Sequence, residues 1–191
     1  MAGWAGSRPE PLPLSAHFHV LTGAPGAGKT SLVDALAEAG LATAAEGARQ
    51  LIRQGIAASG VDPRKDRHAF AAAMLAHDVL LWEAAASLGR PVIFDRGLPD
   101  ILGFCRIEGI APPAGLADAI ARCRYNVQVF LAPCWPEIYA ADEERTQTIE
   151  EARASEQMMR RVYPECGYSL VDLPLADIAA RVAFVRTRIE G

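Results

Sequence analysis

The sequence has no surplus of basic residues, no paired cysteine motif and no long apolar run. Its 191 residues carry a formal net charge of −4, which excludes the uniformly basic surface of many nucleic-acid-binding proteins. The four cysteines include no C-x-x-C pair and form no zinc pattern with the four histidines, so we expect reduced thiols. No apolar stretch reaches the length of a bilayer span, and no secretion signal is recognisable. We therefore expect a cytoplasmic protein that binds neither nucleic acid nor membrane.

Hydrophobic residues make up 51% of the chain, which is enough for a full core at this length. No internal repeat or linker divides the sequence, so we predict a single domain over residues 16–191. Residues 1–15 contain Pro9, Pro11 and Pro13, a composition that predicts a flexible, extended N-terminal tail.

Short apolar segments alternate with segments of helical periodicity, which is typical of an α/β protein with a mostly parallel sheet covered on both faces. Thr148 and Glu151 have the spacing of a capping box, which predicts a helix start. The predicted strands span 17–22, 41–45, 91–95, 126–132 and 168–173. The predicted helices span 29–39, 46–57, 67–87, 99–107, 115–122, 148–162 and 176–189.

A complete Walker A pattern, Gly-x4-Gly-Lys-Thr, occupies residues 23–30 between a strand-like and a helix-like segment. Glycines let the backbone curl around a phosphate chain, so that N–H groups and the positive end of the following helix face the anion. Lys29 would reach the β- and γ-phosphates, and Thr30 would ligate Mg²⁺. The alternative is a glycine-rich turn with a surface lysine. The predicted nucleotide-binding residues are Gly23, Ala24, Pro25, Gly26, Ala27, Gly28, Lys29, Thr30 and Ser31.

An acidic residue, Asp95, ends the apolar segment that precedes Arg96 and Gly97. A carboxylate at the end of a buried strand suits the Walker B role of holding the Mg²⁺ shell together with Thr30. The alternative is a strand-ending turn that uses Asp and Gly as turn formers. The Walker A pattern earlier in the chain favours the metal-binding interpretation.

The residue after Asp95 separates subclasses of nucleotide-binding proteins. Motor-type ATPases usually carry a second acid there, whereas this chain carries Arg96, whose guanidinium suits a phosphate or an anionic acceptor group. The sequence also lacks Asn-Lys-x-Asp, the guanine-reading motif of many GTPases. Both observations favour phosphoryl transfer from ATP to a small acceptor over mechanical work or switching.

Several polar residues follow predicted strands and are candidates for contact with the acceptor. Glu46 and Arg49 come directly after the second predicted strand, where a carboxylate could accept a hydroxyl hydrogen bond and a guanidinium could bind an anion. Their alternative reading is a helix-start acid and a solvated arginine. Asp100 and Arg106 lie on a predicted helix that leaves the same edge of the sheet and are further candidates.

A small helical lid is predicted after the fourth strand. Residues 133–147 contain a charged run in which Arg145 could swing over the γ-phosphate and neutralise charge during transfer. The alternative is a solvated charged turn.

These elements, in this order, resemble the NadR-like group of P-loop proteins, which are AAA-domain ATPases or kinases of NAD metabolism. The segment Phe94 to Asp100 is the most specific part of the resemblance. The resemblance implies a five-stranded sheet of kinase-type order 2-3-1-4-5 and ATP binding, and it leaves the acceptor open. The matching segments are Leu21 to Thr30, Glu46 to Arg49, Phe94 to Asp100, Pro136 to Tyr139, Asp142 to Gln147 and Gly167 to Val171.

The sequence therefore predicts an ATP·Mg²⁺-dependent phosphotransferase acting on a small hydroxylated metabolite. Lys29, Asp95, Arg96 and Arg145 are its predicted catalytic residues. Asp95 would orient or deprotonate the acceptor hydroxyl, and the two arginines would balance charge on the transferred group. The alternatives are a nucleotide-gated regulatory protein that hydrolyses ATP or GTP slowly and a nucleotide kinase that acts on a phosphate. The oligomeric state stays open.

Overall fold

Five parallel strands form one sheet in the order β2-β3-β1-β4-β5, as the resemblance implied. The computed structural model describes residues 16–44, 66–139 and 148–190. The strands are β1 (Phe18–Gly23), β2 (Ala42–Ala44), β3 (Val92–Asp95), β4 (Gln128–Ala132) and β5 (Ser169–Asp172). The helices of the described ranges are α1 (Lys29–Glu38), α2 (Arg67–Ala86), α3 (Leu98–Ile107), α4 (Leu116–Arg122), α5 (Pro136–Tyr139), α6 (Ile149–Glu165) and α7 (Ile178–Glu190).

The two faces of the sheet carry separate hydrophobic clusters, because successive side chains of a strand point to opposite sides. On one face, Phe18 and Val20 of β1 pack with Phe94 and with apolar residues of α2, α3, α4 and α6. On the other face, Leu21 and Phe130 pack with apolar residues of α1 and α7. Burial on both faces explains why the central strands are almost entirely apolar.

The register of the strands determines which residues reach the carboxyl edge of the sheet. Leu21 of β1 lies opposite Asp95 of β3 and opposite Phe130 of β4. Asp95 therefore ends its strand two positions before β1 reaches Gly23. The loop after β1 and the residues after β3 consequently emerge side by side at this edge.

The predicted elements agree with the structure, with shifts at their ends. The first strand begins one residue later than predicted, and β2 contains only three residues. The capping box of α6 is present, because Thr148 Oγ1 accepts from the Glu151 amide and the Glu151 carboxylate accepts from the Thr148 amide. The predicted helix over 46–57 and the predicted tail over 1–15 lie outside the described residues.

Helix α2 differs from the expectation that nothing in the chain could span a bilayer. Its 20 residues are long and apolar enough to do so by length and composition, with a mean hydropathy of 1.3. These two properties alone carry little weight for a single helix. One side of α2 packs on the core through Phe70, Met74 and Trp82, while Leu80 on another side is exposed.

A buried histidine in the central strand makes the stability of this fold depend on pH. His19 is 5% exposed and contacts the ring of Phe130. Burial, assisted by the charge of His17, lowers the pKa of His19 from 6.5 to about 4. The unfolded chain therefore binds more protons than the folded chain between these two values, and folding loses stability as the pH falls through this window.

We predict that lowering the pH from 7 to 4 removes about 3 kcal/mol of unfolding free energy through His19 alone. Replacing His19 by Leu should remove this part of the pH dependence, which denaturant titrations at several pH values would measure. His68→Gln, at an exposed position of α2, serves as the matched control. An unchanged pH slope in the His19→Leu variant would contradict the prediction.

Candidate functional site

The loop between β1 and α1 begins at a close contact with β4, where the backbones are too near each other for a side chain to fit between them. Gly23 adopts a φ of +124°, and a Cβ there would lie 2.1 Å from the carbonyl oxygen of Ala132. The next amide, that of Ala24, donates to the same oxygen at 3.1 Å. Gly26 and Gly28 also adopt positive φ angles, so the backbone curls back before α1 begins at Lys29.

Lys29 folds over the inside of this loop. Its side chain is almost fully buried, and Nζ donates to the carbonyl oxygens of Ala24 at 2.6 Å and Gly23 at 3.3 Å. Both of these acceptors are backbone oxygens of the loop itself. The ammonium group therefore lies beside the first residues of a loop whose backbone conformation is suited to binding an anion.

Asp95 and Arg96 bring the end of β3 to the same point. Asp95 is buried, and the Arg96 amide donates to the carbonyl oxygen of Leu21 at 3.0 Å. Arg96 has a φ of 70°, the left-handed conformation that residues other than glycine rarely adopt. Its Nη1 lies 3.4 Å from the Gly23 carbonyl oxygen, the atom that Lys29 also contacts. Two of the three predicted catalytic cations, Lys29 and Arg96, therefore meet at one backbone oxygen.

Asp100 holds Arg96 in place. Its Oδ1 accepts from Arg96 Nη1 at 2.9 Å and from Thr22 Oγ1 at 2.7 Å. Its Oδ2 accepts from the Gly97 amide at 3.1 Å and from the Tyr163 hydroxyl at 2.5 Å. Burial and then the charge of Asp100 raise the pKa of Tyr163 well above its ordinary value, so the phenol stays protonated and donates.

This network changes the interpretation of Asp100, for which the sequence predicted contact with the acceptor. Four donors of its own chain engage the carboxylate, which is only 8% exposed. The geometry favours a positioning role toward Arg96 over direct contact with a substrate. Nothing in the sequence pointed to Thr22 or Tyr163, because they meet Asp100 only after folding.

Arg106 does not reach this edge of the sheet. It forms an ion pair with Glu165 at 2.6 Å, shortly before the amino end of β5. In a parallel sheet the amino ends lie opposite the phosphate loop, so this position does not favour the predicted contact of Arg106 with the acceptor. Helix α3 carries Asp100 near its buried start and Arg106 near its end.

The remaining predicted residues divide into two groups. Thr30 and Ser31 occupy the first turn of α1, where Thr30 is half-buried and Ser31 is exposed. Glu46, Arg49 and Arg145 lie outside the described residues, so their predicted roles stay predictions.

The oxygen donors at this edge suit magnesium. Mg²⁺ prefers one or two protein oxygens together with waters and substrate phosphates, and seldom binds in an all-protein cage. Asp95 supplies a buried carboxylate and Thr30 a hydroxyl. Within the described ranges, no cluster of three or more His, Cys, Asp or Glu side chains could hold a metal by itself. Thr30 and Asp95 therefore fit an ion that a bound polyphosphate would share.

The sequence analysis missed one further residue at the loop. Arg181 of α7 is 1% exposed, and its guanidinium donates to the carbonyl oxygens of Ala27 and Pro174. An arginine among the apolar residues of an amphipathic helix gives no signal in the sequence, because its partners are backbone atoms distant along the chain.

A parallel sheet of this order, a glycine-rich loop closed by a lysine, and an aspartate–arginine pair on the adjacent strand define a P-loop fold of the nucleoside and nucleotide kinase type. Within that class, the chain belongs to the family described as AAA domain, whose model matches residues 18–181. No curated protein matches the sequence significantly.

Solved structures share the fold at low sequence identity. A deoxyadenosine kinase from M. mycoides with products dCMP and a flexible dCDP has a TM-score of 0.65 and 14% identity, over 91% of this chain and 98% of that one. A NadR protein in complex with NR has a TM-score of 0.67 and 15% identity. That alignment covers 93% of this chain and only 50% of the NadR chain. Thymidylate kinase from Ehrlichia chaffeensis has a TM-score of 0.57 and 16% identity, over 93% and 100%.

We predict that Gly23→Ala destabilises the empty protein by several kcal/mol, because its Cβ would meet the Ala132 carbonyl in a conformation that disfavours side chains. Gly28→Ala is the matched comparison. A Cβ at Gly28 would have only ordinary contacts at 3.5 Å, so the positive φ should cost about 1–2 kcal/mol. Denaturant unfolding without nucleotide measures both variants, and equal losses would contradict the prediction.

We predict that Asp100→Asn costs about 2 kcal/mol or more of unfolding free energy, because a buried carboxylate with charge-assisted bonds becomes a neutral amide. Asp118→Asn, at an exposed first-turn position of α4, should cost much less. Thermal and denaturant unfolding of the two variants would show the difference, and a stability loss no larger than that of the control would refute the assignment.

Proposed function

We propose that the protein is an ATP·Mg²⁺-dependent phosphotransferase that moves the γ-phosphate of ATP to a hydroxyl of a small metabolite. The observation that carries the proposal is the meeting of Lys29 and Arg96 at the Gly23 carbonyl, next to Asp95. A phosphate loop whose lysine lies beside an aspartate–arginine pair is suited to phosphoryl transfer. No second acid follows Asp95 to polarise a water for hydrolysis.

ATP would bind with its β- and γ-phosphates inside the loop of residues 23–30. The N–H groups at the start of α1 and their positive dipole end stabilise negative charge there. Lys29 would exchange its bonds to the Gly23 and Ala24 carbonyls for bonds to phosphate oxygens. The lysine therefore needs no large movement to engage the nucleotide.

The transfer step would depend on Asp95 and Arg96. Asp95 would orient or deprotonate the acceptor hydroxyl, while Arg96, held by Asp100, would balance charge on the transferred phosphoryl group. Thr30, and Asp95 through a water network, would hold Mg²⁺, and the ion would supply positive charge against the phosphates. Arg145 remains the proposed lid cation.

The solved structures of similar fold support an acceptor that resembles a nucleoside or nucleotide. The neighbours are kinases of deoxyadenosine and thymidylate and a protein that binds NR. We keep the broader class, a small hydroxylated metabolite, for this chain. A nucleotide kinase that phosphorylates a phosphate group is the second candidate, because a thymidylate kinase shares the fold. A cytoplasmic location remains part of the proposal.

We predict that Lys29→Ala lowers nucleotide turnover by about 100-fold or more, because it removes the cation that stabilises charge on the transferring group. Arg90→Ala, an exposed cation before β3 at the amino edge, is the matched control and should keep wild-type turnover. Turnover at the parent rate in Lys29→Ala would overturn the site assignment.

Nucleotide consumption with and without a pooled metabolite extract separates transfer from gating. We expect the extract to stimulate consumption of ATP, and we expect Asp95→Asn to lose that stimulation. Slow hydrolysis that no extract stimulates, in wild-type protein that binds Mg²⁺ and ATP, would favour the nucleotide-gated regulatory alternative.

A further inference from the structure

A buried arginine, Arg181, is hydrogen-bonded to the backbone of the phosphate loop. Arg181 is 1% exposed, and its Nη1 donates to the Ala27 carbonyl oxygen at 2.8 Å. Its Nε donates to the Pro174 carbonyl oxygen at 2.9 Å, in the segment after β5. Trp135, which follows β4, lies with its ring 4.9 Å from the guanidinium carbon. Arg181 thus connects the phosphate loop with the ends of two neighbouring strands.

The charge of this arginine has no counter-ion among the residues that the structure describes. Its bonded partners are backbone carbonyls, and its Nη2 is buried without a hydrogen-bond partner in those ranges. Burial lowers the pKa of Arg181, although a guanidinium remains charged at neutral pH. A buried charge without a counter-ion is costly, so a bound anion near it would stabilise the fold.

The bond to Ala27 also determines which way one amide of the loop points. The Ala27–Gly28 peptide is trans, so its carbonyl and its N–H point in opposite directions. Because Arg181 takes the carbonyl, the Gly28 N–H is directed away from Arg181, on the other side of the peptide plane. Gly28 has a φ of +75° and no side chain, and without Arg181 this peptide could flip at little steric cost.

We propose that Arg181 is a positioning residue for polyphosphate binding: it locks the Ala27–Gly28 peptide with its N–H toward the anion and supplies a buried charge that a bound polyphosphate balances. The proposal rests on the proposed nucleotide binding at residues 23–30. It makes the loop after β5 part of the phosphate site, although Pro174 lies far from the Walker A pattern in sequence.

The test compares Arg181→Met, which removes the charge and both bonds, with Arg181→Lys, which keeps the charge but cannot hold two carbonyls as a guanidinium fork does. Arg188→Met is the matched control, because it removes a cation from an exposed position of the same helix. Calorimetry with Mg²⁺·ATP and with tripolyphosphate gives affinities, and thermal unfolding gives the stability of the empty protein.

We expect Arg181→Met to weaken both ligands by about tenfold or more and Arg181→Lys to weaken them less, with Arg188→Met unchanged. The melting temperature of the empty Arg181→Met protein should stay close to that of the wild type, because removal of an uncompensated buried charge offsets the lost bonds. The upward shift that ATP causes should shrink.

Wild-type affinity in Arg181→Met, or a loss of empty-state stability without any loss of affinity, would overturn the inference. If Arg181→Met does not fold, Arg181→Lys carries the test, and wild-type affinity in that variant would overturn the fork geometry. Failure of the wild type itself to bind Mg²⁺·ATP would instead sink the proposed function.

Discussion

The site depends on one close approach, that of the Gly23 backbone to the Ala132 carbonyl. Gly23 has no Cβ, so its backbone can approach the Ala132 carbonyl closely and leave β1 with a positive φ. The chain then curls directly into the loop. The amide of Ala24 then bonds to the same carbonyl, and the Gly23 carbonyl is left as an acceptor for Lys29 and Arg96. A single backbone contact between neighbouring parallel strands therefore sets the position of both cations.

Three cationic side chains, Lys29, Arg96 and Arg181, contact the backbone of the phosphate loop. Lys29 and Arg181 both donate to carbonyl oxygens of the loop. Arg96 differs, because the buried Asp100 carboxylate balances it and fixes its direction. In the proposed function Lys29 would bind the phosphate chain and Arg96 would act on the group in transfer, while Arg181 would position the loop from its other side.

Helix α6 links this site to the segment that precedes it. Tyr163 reaches Asp100 from α6, and the capping box at Thr148 starts that helix immediately after the predicted lid. Met159 of the same helix packs against Gly103, in the space that a side chain at position 103 would occupy. This contact brings α6 close to α3. A displacement of α6 would therefore also move the Asp100 carboxylate that positions Arg96, because a hydrogen bond and side-chain packing connect the two helices.

The class of the fold and the phosphate loop could be predicted from the amino-acid sequence alone, because local patterns indicate them: apolar strands, the Walker A glycines, and Asp95 with Arg96 at a strand end. Side chains whose partners lie far along the chain could be interpreted only from the folded structure. It engaged Asp100 with Thr22 and Tyr163, and it turned Arg106 toward the opposite edge of the sheet. It also placed Arg181 behind the loop, which no periodicity could predict, because a guanidinium bound to backbone carbonyls leaves no complementary residue type in the sequence.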